Sequence, residues 1–279
     1  MFLSLILCSF LSIFNSYSSL IDDVPVGKFV FNKQEVQTLK AKYGLGTEKL
    51  LMELVPLAKR NARPPISNYY VGAVGISKTG KIYFGNNLEF KSVPIAQTVH
   101  AEQFLFVLSF LEYDRLDRIA VSAEPCGHCR QFLNEVKGAA KDLKVLVVGK
   151  KPRYLGSLLP DPFGPDNLNI DISIYSKRDN KIKIDDKEKD EMVRFALMMA
   201  NESYAPYSSS YSGVVIKTKD GNLHKGFYIE NAAFNPSISP MIAAIIKMVS
   251  LGYPYEDISQ VVLAEKKDAP VKHEESIRT

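Results

Sequence analysis

Slid along itself by 141 residues, the distance from Pro65 to Pro206, this chain of 279 residues meets a second copy of its own pattern. Ser67 falls on Ser208. Gly72, Gly80, Gly85 and Glu89 fall on Gly213, Gly221, Gly226 and Glu230, and Ala123-Glu124 falls on Ala264-Glu265. Identities held at one offset over so long a span predict two copies of one supersecondary unit. In the first copy Leu50, Leu54 and Leu57-Ala58 recur at helical spacing, predicting a helix over 48–61 that Pro56 kinks or delays. Residues 70–76 and 82–84 read as strands joined by the Lys78-Thr79-Gly80 turn. Residues 101–111 read as an apolar helix and 118–122 as a short buried strand. Pro125 is expected to open a helix that runs to about Lys137, and 144–148 closes the copy as a strand. Strands and helices in this order predict an α/β fold, a three-layer αβα sandwich, duplicated, whose mixed sheet carries helices on both faces.

His100-Ala101-Glu102 and Pro125-Cys126-Gly127-His128-Cys129 flank the 118–122 strand. One imidazole and two thiolates can hold Zn²⁺ at three corners of a tetrahedron and leave the fourth to water. Glu102 lies two residues past the histidine, and helical residues two apart do not share a face. It is therefore placed to pass protons rather than to bind the metal. Alone, C-x-x-C also reads as a redox dithiol, half of a structural zinc site or two small core residues. His-x-Glu alone reads as a solvated helix face. A structural zinc site would need a fourth protein ligand, and the remaining cysteine, Cys8, lies far away in sequence. Both motifs fall at helix starts, where free N–H groups favour thiolate over thiol. At the 141-residue offset His100, Glu102, Cys126 and Cys129 become Met241, Ala243, Lys267 and Pro270. The second copy is thus expected to keep the fold without the chemistry, with one zinc per chain, in the first copy.

The paired motifs match the H-x-E…P-C-x-x-C signature of zinc-dependent nucleobase deaminases. HAEQ at 100–103, PCGHCRQF at 125–132, GNNLEF at 85–90, FGP at 163–165 and ENAAFNP at 230–236 narrow this further. From about Phe29 onward the chain resembles a cytidine deaminase of the two-domain, homodimeric type. The resemblance implies zinc-dependent hydrolytic deamination of cytidine and 2′-deoxycytidine, with zinc on His100, Cys126 and Cys129 and Glu102 as acid and base. It implies that Asn87 and Glu89 grip the ribose 3′-hydroxyl, that Tyr69 stacks near the base, and that the backbone around Ala101 reads the pyrimidine edge. It also implies a homodimer whose active site is completed across subunits, with Phe163, and Ala233-Phe234 of the second copy, closing the pocket. The implied domains are a catalytic zinc-binding unit at 25–150, a linker with the FGP segment at 151–189 and a ligand-free second copy at 190–279.

Asn87 and Glu89 also carry a warrant of their own. Two apart on a strand, they face the same side and can grip one hydroxyl. They read equally as a strand-end polar pair facing water, and Glu230 at the equivalent place points to a structural role for Glu89. Tyr69, taken alone, reads as a core residue.

Charge bears on the partner. The formal charge is +4, and the basic clusters, Lys150-Lys151-Pro152-Arg153 and Lys266-Lys267, are short. They read as solvated loop faces, so a small-molecule nucleoside is expected rather than nucleic acid. Two other classes stay open on the residues: a polynucleotide deaminase sharing the zinc motif, and a catalytically silent relative kept for dimerisation or binding. Phe2 to Phe14 is apolar but for three serines, and no Lys or Arg precedes Lys28. The run is too short to span a membrane and suits either a signal peptide or an apolar extension within residues 1–24. The resemblance implies the cytosol; cleavage within 1–18 would imply the secretory pathway.

Overall fold

The computed structural model describes residues 20–183 and 187–278, so the apolar stretch at 1–19 lies outside the described residues. Six strands form the first sheet: β1 (Val30–Phe31), β2 (Gly72–Ser77), β3 (Ile82–Asn86), β4 (Leu116–Val121), β5 (Lys144–Val147) and β6 (Arg153–Tyr154). Their spatial order is β1-β3-β2-β4-β5-β6. β4 and β5 run parallel and the other neighbours antiparallel, which makes the sheet mixed. β6 lies past the boundary expected at 150. Tyr175, further along the expected linker, bonds to Ser109 Oγ at 2.9 Å and meets the Phe110 ring edge-on at 4.8 Å. Much of that segment is folded onto the first copy. The second sheet holds β7 (Ser212–Thr218), β8 (Leu223–Phe227) and β9 (Ile258–Glu265) in the order β8-β7-β9, all antiparallel. It repeats the β3-β2-β4 centre of the first.

The helices that matter here are α1 (Lys33–Tyr43), α2 (Thr47–Lys59), α3 (Ala101–Leu111), α4 (Gly127–Leu133), α5 (Glu191–Glu202) and α6 (Pro240–Ser250). α1 starts on a reciprocal cap: Asn32 Oδ1 accepts from Glu35 N at 3.0 Å while the Glu35 carboxylate accepts from Asn32 N at 2.8 Å. α2 does not start late at Pro56 but runs from Thr47 past it to Lys59. Six apolar side chains buried along it, from Leu50 to Ala58, outweigh the one backbone bond that proline cannot donate.

Two glycines set how closely helix and sheet approach. Strand Cβ atoms alternate between faces. Gly72 pairs with Asn86 and Gly85 with Ala73, so Gly72 and Gly85 expose bare backbone on opposite faces. A Cβ on Gly72 would lie 2.4 Å from Lys59 N of α2; one on Gly85 would lie 2.2 Å from Ala101 O of α3. The helices therefore rest on the sheet, one on each face, as expected of an αβα sandwich. In the second copy Gly213 meets α5 at Ala200 N (2.4 Å) and Gly226 meets α6 at Ala244 N (2.2 Å). The duplication seen in the letters is a duplication in space.

The single offset does not survive throughout. The bridges Arg63↔Leu88 and Tyr204↔Ile229 keep it, but Leu88↔Val99 answers to Ile229↔Ile238, so that loop is two residues shorter in the second copy. The N-caps of α3 and α6 are accordingly His100 and Ser239. β9 shifts the other way, since Leu116 and Ile258 occupy the same place beside the bulge in β2 and β7. The equivalents of His100 and Glu102 are thus corrected to Ser239 and Met241, and those of Cys126 and Cys129 to Asp268 and Val271. Changes of loop length are invisible to a gapless comparison. The chemical conclusion holds: Asp268 offers one carboxylate, but Ser239 and Val271 supply no imidazole or thiolate to complete a metal set with it, and Met241 cannot carry a proton.

Candidate metal centre and cleft

His100 closes the approach to α3 with extended backbone (φ −84°, ψ 155°), and its N–H is accepted by Gln103 Oε1 at 3.1 Å. Cys126 caps α4 in the same way (φ −69°, ψ 169°), leaving Pro125 outside the helix. α4 is shorter than expected and ends at Leu133, where Asn134 turns to the Phe163 carbonyl at 3.2 Å and Glu135 turns to the second copy. Two helix starts thereby meet. His100 Nδ1 lies 3.5 Å from Cys126 Sγ and 3.3 Å from Cys129 Sγ, and the sulfurs are 3.7 Å apart. Tetrahedral zinc, with Zn–S about 2.3 Å and Zn–N about 2.0–2.1 Å, separates two sulfurs by roughly 3.8 Å and sulfur from nitrogen by roughly 3.6 Å. The three donors fit that triangle, and among the described residues they form the one such His/Cys/acid cluster.

The electrostatics agree with a cation site. The hydrogen bond with Cys129, the Cys129 and His128 N–H groups and the nearby His100 together pull the Cys126 thiol down to about 4, against its burial. Cys129, which keeps the proton of the pair, is pushed up by that same bond, by burial and by Glu102. Glu102 is 4% exposed, and burial raises its carboxyl above the ordinary carboxylate range. His128 turns aside from the cluster, its Nε2 3.1 Å from Gln103 Nε2, so the HAEQ and PCGHC motifs also brace each other. Arg130 fixes the start of α4 by donating to the Pro125 carbonyl at 2.8 Å and to the Leu158 carbonyl at 2.8 Å.

A cleft of about 290 Å³ opens at this centre. Of the residues expected from sequence, Tyr69, Asn87, Glu89, His100, Ala101, Glu102 and Cys126 line it, and Cys129 is buried behind. Tyr69 is not a core residue: it is 61% exposed on the cleft wall. Asn87 accepts from Val71 N at 2.9 Å and donates to the Tyr69 carbonyl at 2.8 Å, shaping the wall that carries Tyr69. Glu89 accepts from Ile66 N and Ser67 N, both at 2.9 Å, and from Ser67 Oγ at 2.5 Å. Burial works to raise its carboxyl, but these donors win and hold it below the ordinary value. Glu230 accepts from Tyr207 N at 2.8 Å and Ser208 N at 3.1 Å, the same turn in the second copy, so this glutamate does have a structural role.

Phe163 stands apart. It is 47% exposed, is absent from its own chain's cleft, and lies beside α4, its carbonyl accepting from Gln131 Nε2 at 2.7 Å. Ser67, Val71, Thr98, Ala123 and Glu124 also line the cleft without having been assigned there from sequence. Ser67 was visible as a repeat identity, but repetition marks a shared turn and not a ligand; the match of Ala123-Glu124 to Ala264-Glu265 does not survive the shift of β9, which puts Glu265-Lys266 at that place. Glu124 is tied at the rim by Lys150 at 2.7 Å and Arg153 at 2.9 Å.

Residues 46–146 match a family model described as the cytidine and deoxycytidylate deaminase zinc-binding region, and residues 155–278 match a second model of the same description. The chain is 39% identical over 248 residues to a cytidine deaminase of Serratia proteamaculans (strain 568), covering 88% of this chain and 83% of that protein. Among solved structures, it resembles a cytidine deaminase of Mycobacterium tuberculosis at 31% identity and a TM-score of 0.38, covering 43% of this chain and 99% of that one. A cytidine deaminase of Burkholderia pseudomallei is similar at 29% identity and a TM-score of 0.36, covering 43% and 100%.

Proposed function

This chain belongs to the cytidine and deoxycytidylate deaminase family, and from that premise we propose that its first copy converts cytidine and 2′-deoxycytidine, with water, to uridine or 2′-deoxyuridine and ammonia. The observation that carries this reading is the meeting of the His100, Cys126 and Cys129 donors at zinc-compatible separations beside a buried Glu102. Zinc bound there would supply a Lewis acid that brings the pKa of a water toward neutrality. Glu102 would take one proton from the attacking water and deliver it to ring N3, then carry the second, from the hydroxyl added at C4, to the amino group, which leaves as ammonia. Its raised carboxyl suits a group that must both accept and give a proton near neutral pH.

The walls favour a free nucleoside. An ionised carboxylate offers about four lone-pair sites. Glu89 spends three on the 66–67 turn, which leaves one on Oε1 for a ribose hydroxyl. Asn87 likewise keeps a second N–H. Tyr69 supplies a stacking face and the first N–H groups of α3 around Ala101 supply donors to the pyrimidine edge. We read the working form as a homodimer, in which exposed Phe163 and Phe234 (47% and 56%) each close the cleft of the partner. The same reading puts the protein in the cytosol; N-terminal sequencing of the native chain tests this, since loss of residues 1–18 would place it in the secretory pathway. Among the described residues no helix is long and apolar enough to cross a membrane.

The test follows absorbance loss on cytidine, with an oligonucleotide as competitor and zinc measured in the same preparation. Turnover of cytidine that the oligonucleotide does not suppress is the expected result. A zinc-loaded protein that leaves cytidine untouched would overturn the reading.

A further inference from the structure

Glu135 follows α4 by two residues and is 2% exposed. Its carboxylate accepts three bonds from the second copy: Tyr204 Oη donates at 2.8 Å, Tyr207 Oη at 2.5 Å and Ala232 N at 2.8 Å. Beside it Asn231 Nδ2 donates to the Gln131 carbonyl at 3.2 Å, on the last turn of α4. The segment held in this way is a tight loop. Phe234 N is accepted by Asn231 O at 2.8 Å, Ser237 N by Phe234 O at 2.8 Å, and Asn231 N by Ser237 Oγ at 2.9 Å. At its tip Phe234 takes a left-handed backbone (φ 58°), and its ring meets Tyr207 edge-on at 6.4 Å. A buried carboxylate is a costly way to join two lobes that apolar contacts could join, but three converging donors define direction as well as adhesion.

We propose that Glu135 is a positioning residue for substrate binding: it clasps the 231–237 loop to the helix that carries Cys129 and so sets where Phe234 is presented. The proposal rests on the reading above that Phe234 closes a partner's cleft. Through Glu135, the metal-ligand helix of one subunit and the aromatic cap it offers to the other are a single rigid piece. Loosening the clasp leaves the donors of the metal in place and blurs the cap, so binding suffers before chemistry.

The experiment is a double-mutant cycle between Glu135→Gln and Phe234→Ala, read as kcat and KM on cytidine together with zinc per chain. The expected result for Glu135→Gln is full zinc, kcat within about twofold of wild type and KM raised roughly five- to tenfold, with no further rise in the Phe234→Ala background. A KM within about twofold of wild type, or a rise of equal size with Phe234 absent, overturns the proposal. Should Glu135→Gln fail to fold, Tyr207→Phe removes one arm of the clasp while Glu135 keeps its bonds from Tyr204 and Ala232, and the same cycle is run with it. A Phe234→Ala variant with unchanged KM would instead sink the cross-subunit reading, a result seen before Glu135 is touched.

Discussion

Glu102 illustrates how one position can be rich in chemistry because of what surrounds it. Its burial raises the carboxyl, and its place on the first turn of α3 sets it beside the sulfurs without making it a ligand. Glu102→Gln is expected to lower kcat by roughly 10²–10⁴-fold while zinc per chain stays at the wild-type value, measured by steady-state kinetics and metal analysis. Gly85 is the opposite kind of residue, one whose value is an absent atom. Gly85→Ala forces a carbon to within 2.2 Å of Ala101 O and should destabilise the fold by about 1–3 kcal/mol, read by urea unfolding. At this scale the metal set was legible in the sequence because zinc accepts few donor types and Glu102 had to stand apart from them. Tyr69 was legible as a site residue only through the family resemblance; taken alone it read as core, because an aromatic on a cleft wall and one in a core have the same letter and differ only in what lies opposite.

Between residues and the whole, the elements matter through their ends. Neither α3 nor α4 presents its flank to the metal; each presents its first residues, with extended caps at His100 and Cys126. A cation there bridges two helices that otherwise meet through Gln103 and His128. Chelation should therefore abolish activity, lower the melting temperature by mass action and speed amide exchange at 100–103 and 126–129 ahead of β2 and β3. Exchange that rises uniformly along the chain would contradict this. Hydrophobic spacing located these helices but misjudged their limits. The start of α4 was set by a capping cysteine and its end by the tertiary bonds of Asn134 and Glu135, neither of which has a periodic signal. Loop lengths were equally silent, which is why a gapless offset assigned Met241 and Ala243 where the folded chain puts Ser239 and Met241.

The whole molecule is an asymmetric pair, and its two halves should answer acid differently. In the second copy His273 is buried against Tyr228, ring centroids 4.5 Å apart, and burial holds its pKa down at about 4, with Glu265 pulling the other way. The unfolded value is about 6.5. Between those limits the unfolded chain binds a proton that the folded chain refuses, so this contribution to stability is complete above about pH 6.5 and is lost as pH falls toward about 4. The loss amounts to roughly 3 kcal/mol at the acid end. Urea unfolding at pH 7.5 and pH 5.0 should show a smaller drop for His273→Gln than for wild type; equal drops would remove His273 as the cause. The loop before α6 has a different kind of consequence. Although two residues shorter, it still delivers Ser239 to the cap that His100 holds in the first copy. There the Ser239 hydroxyl accepts from Ile242 N at 3.2 Å. The second copy thus closes with its own hydrogen bond the helix start that the first leaves to a cation, and that half is wired to stand without metal.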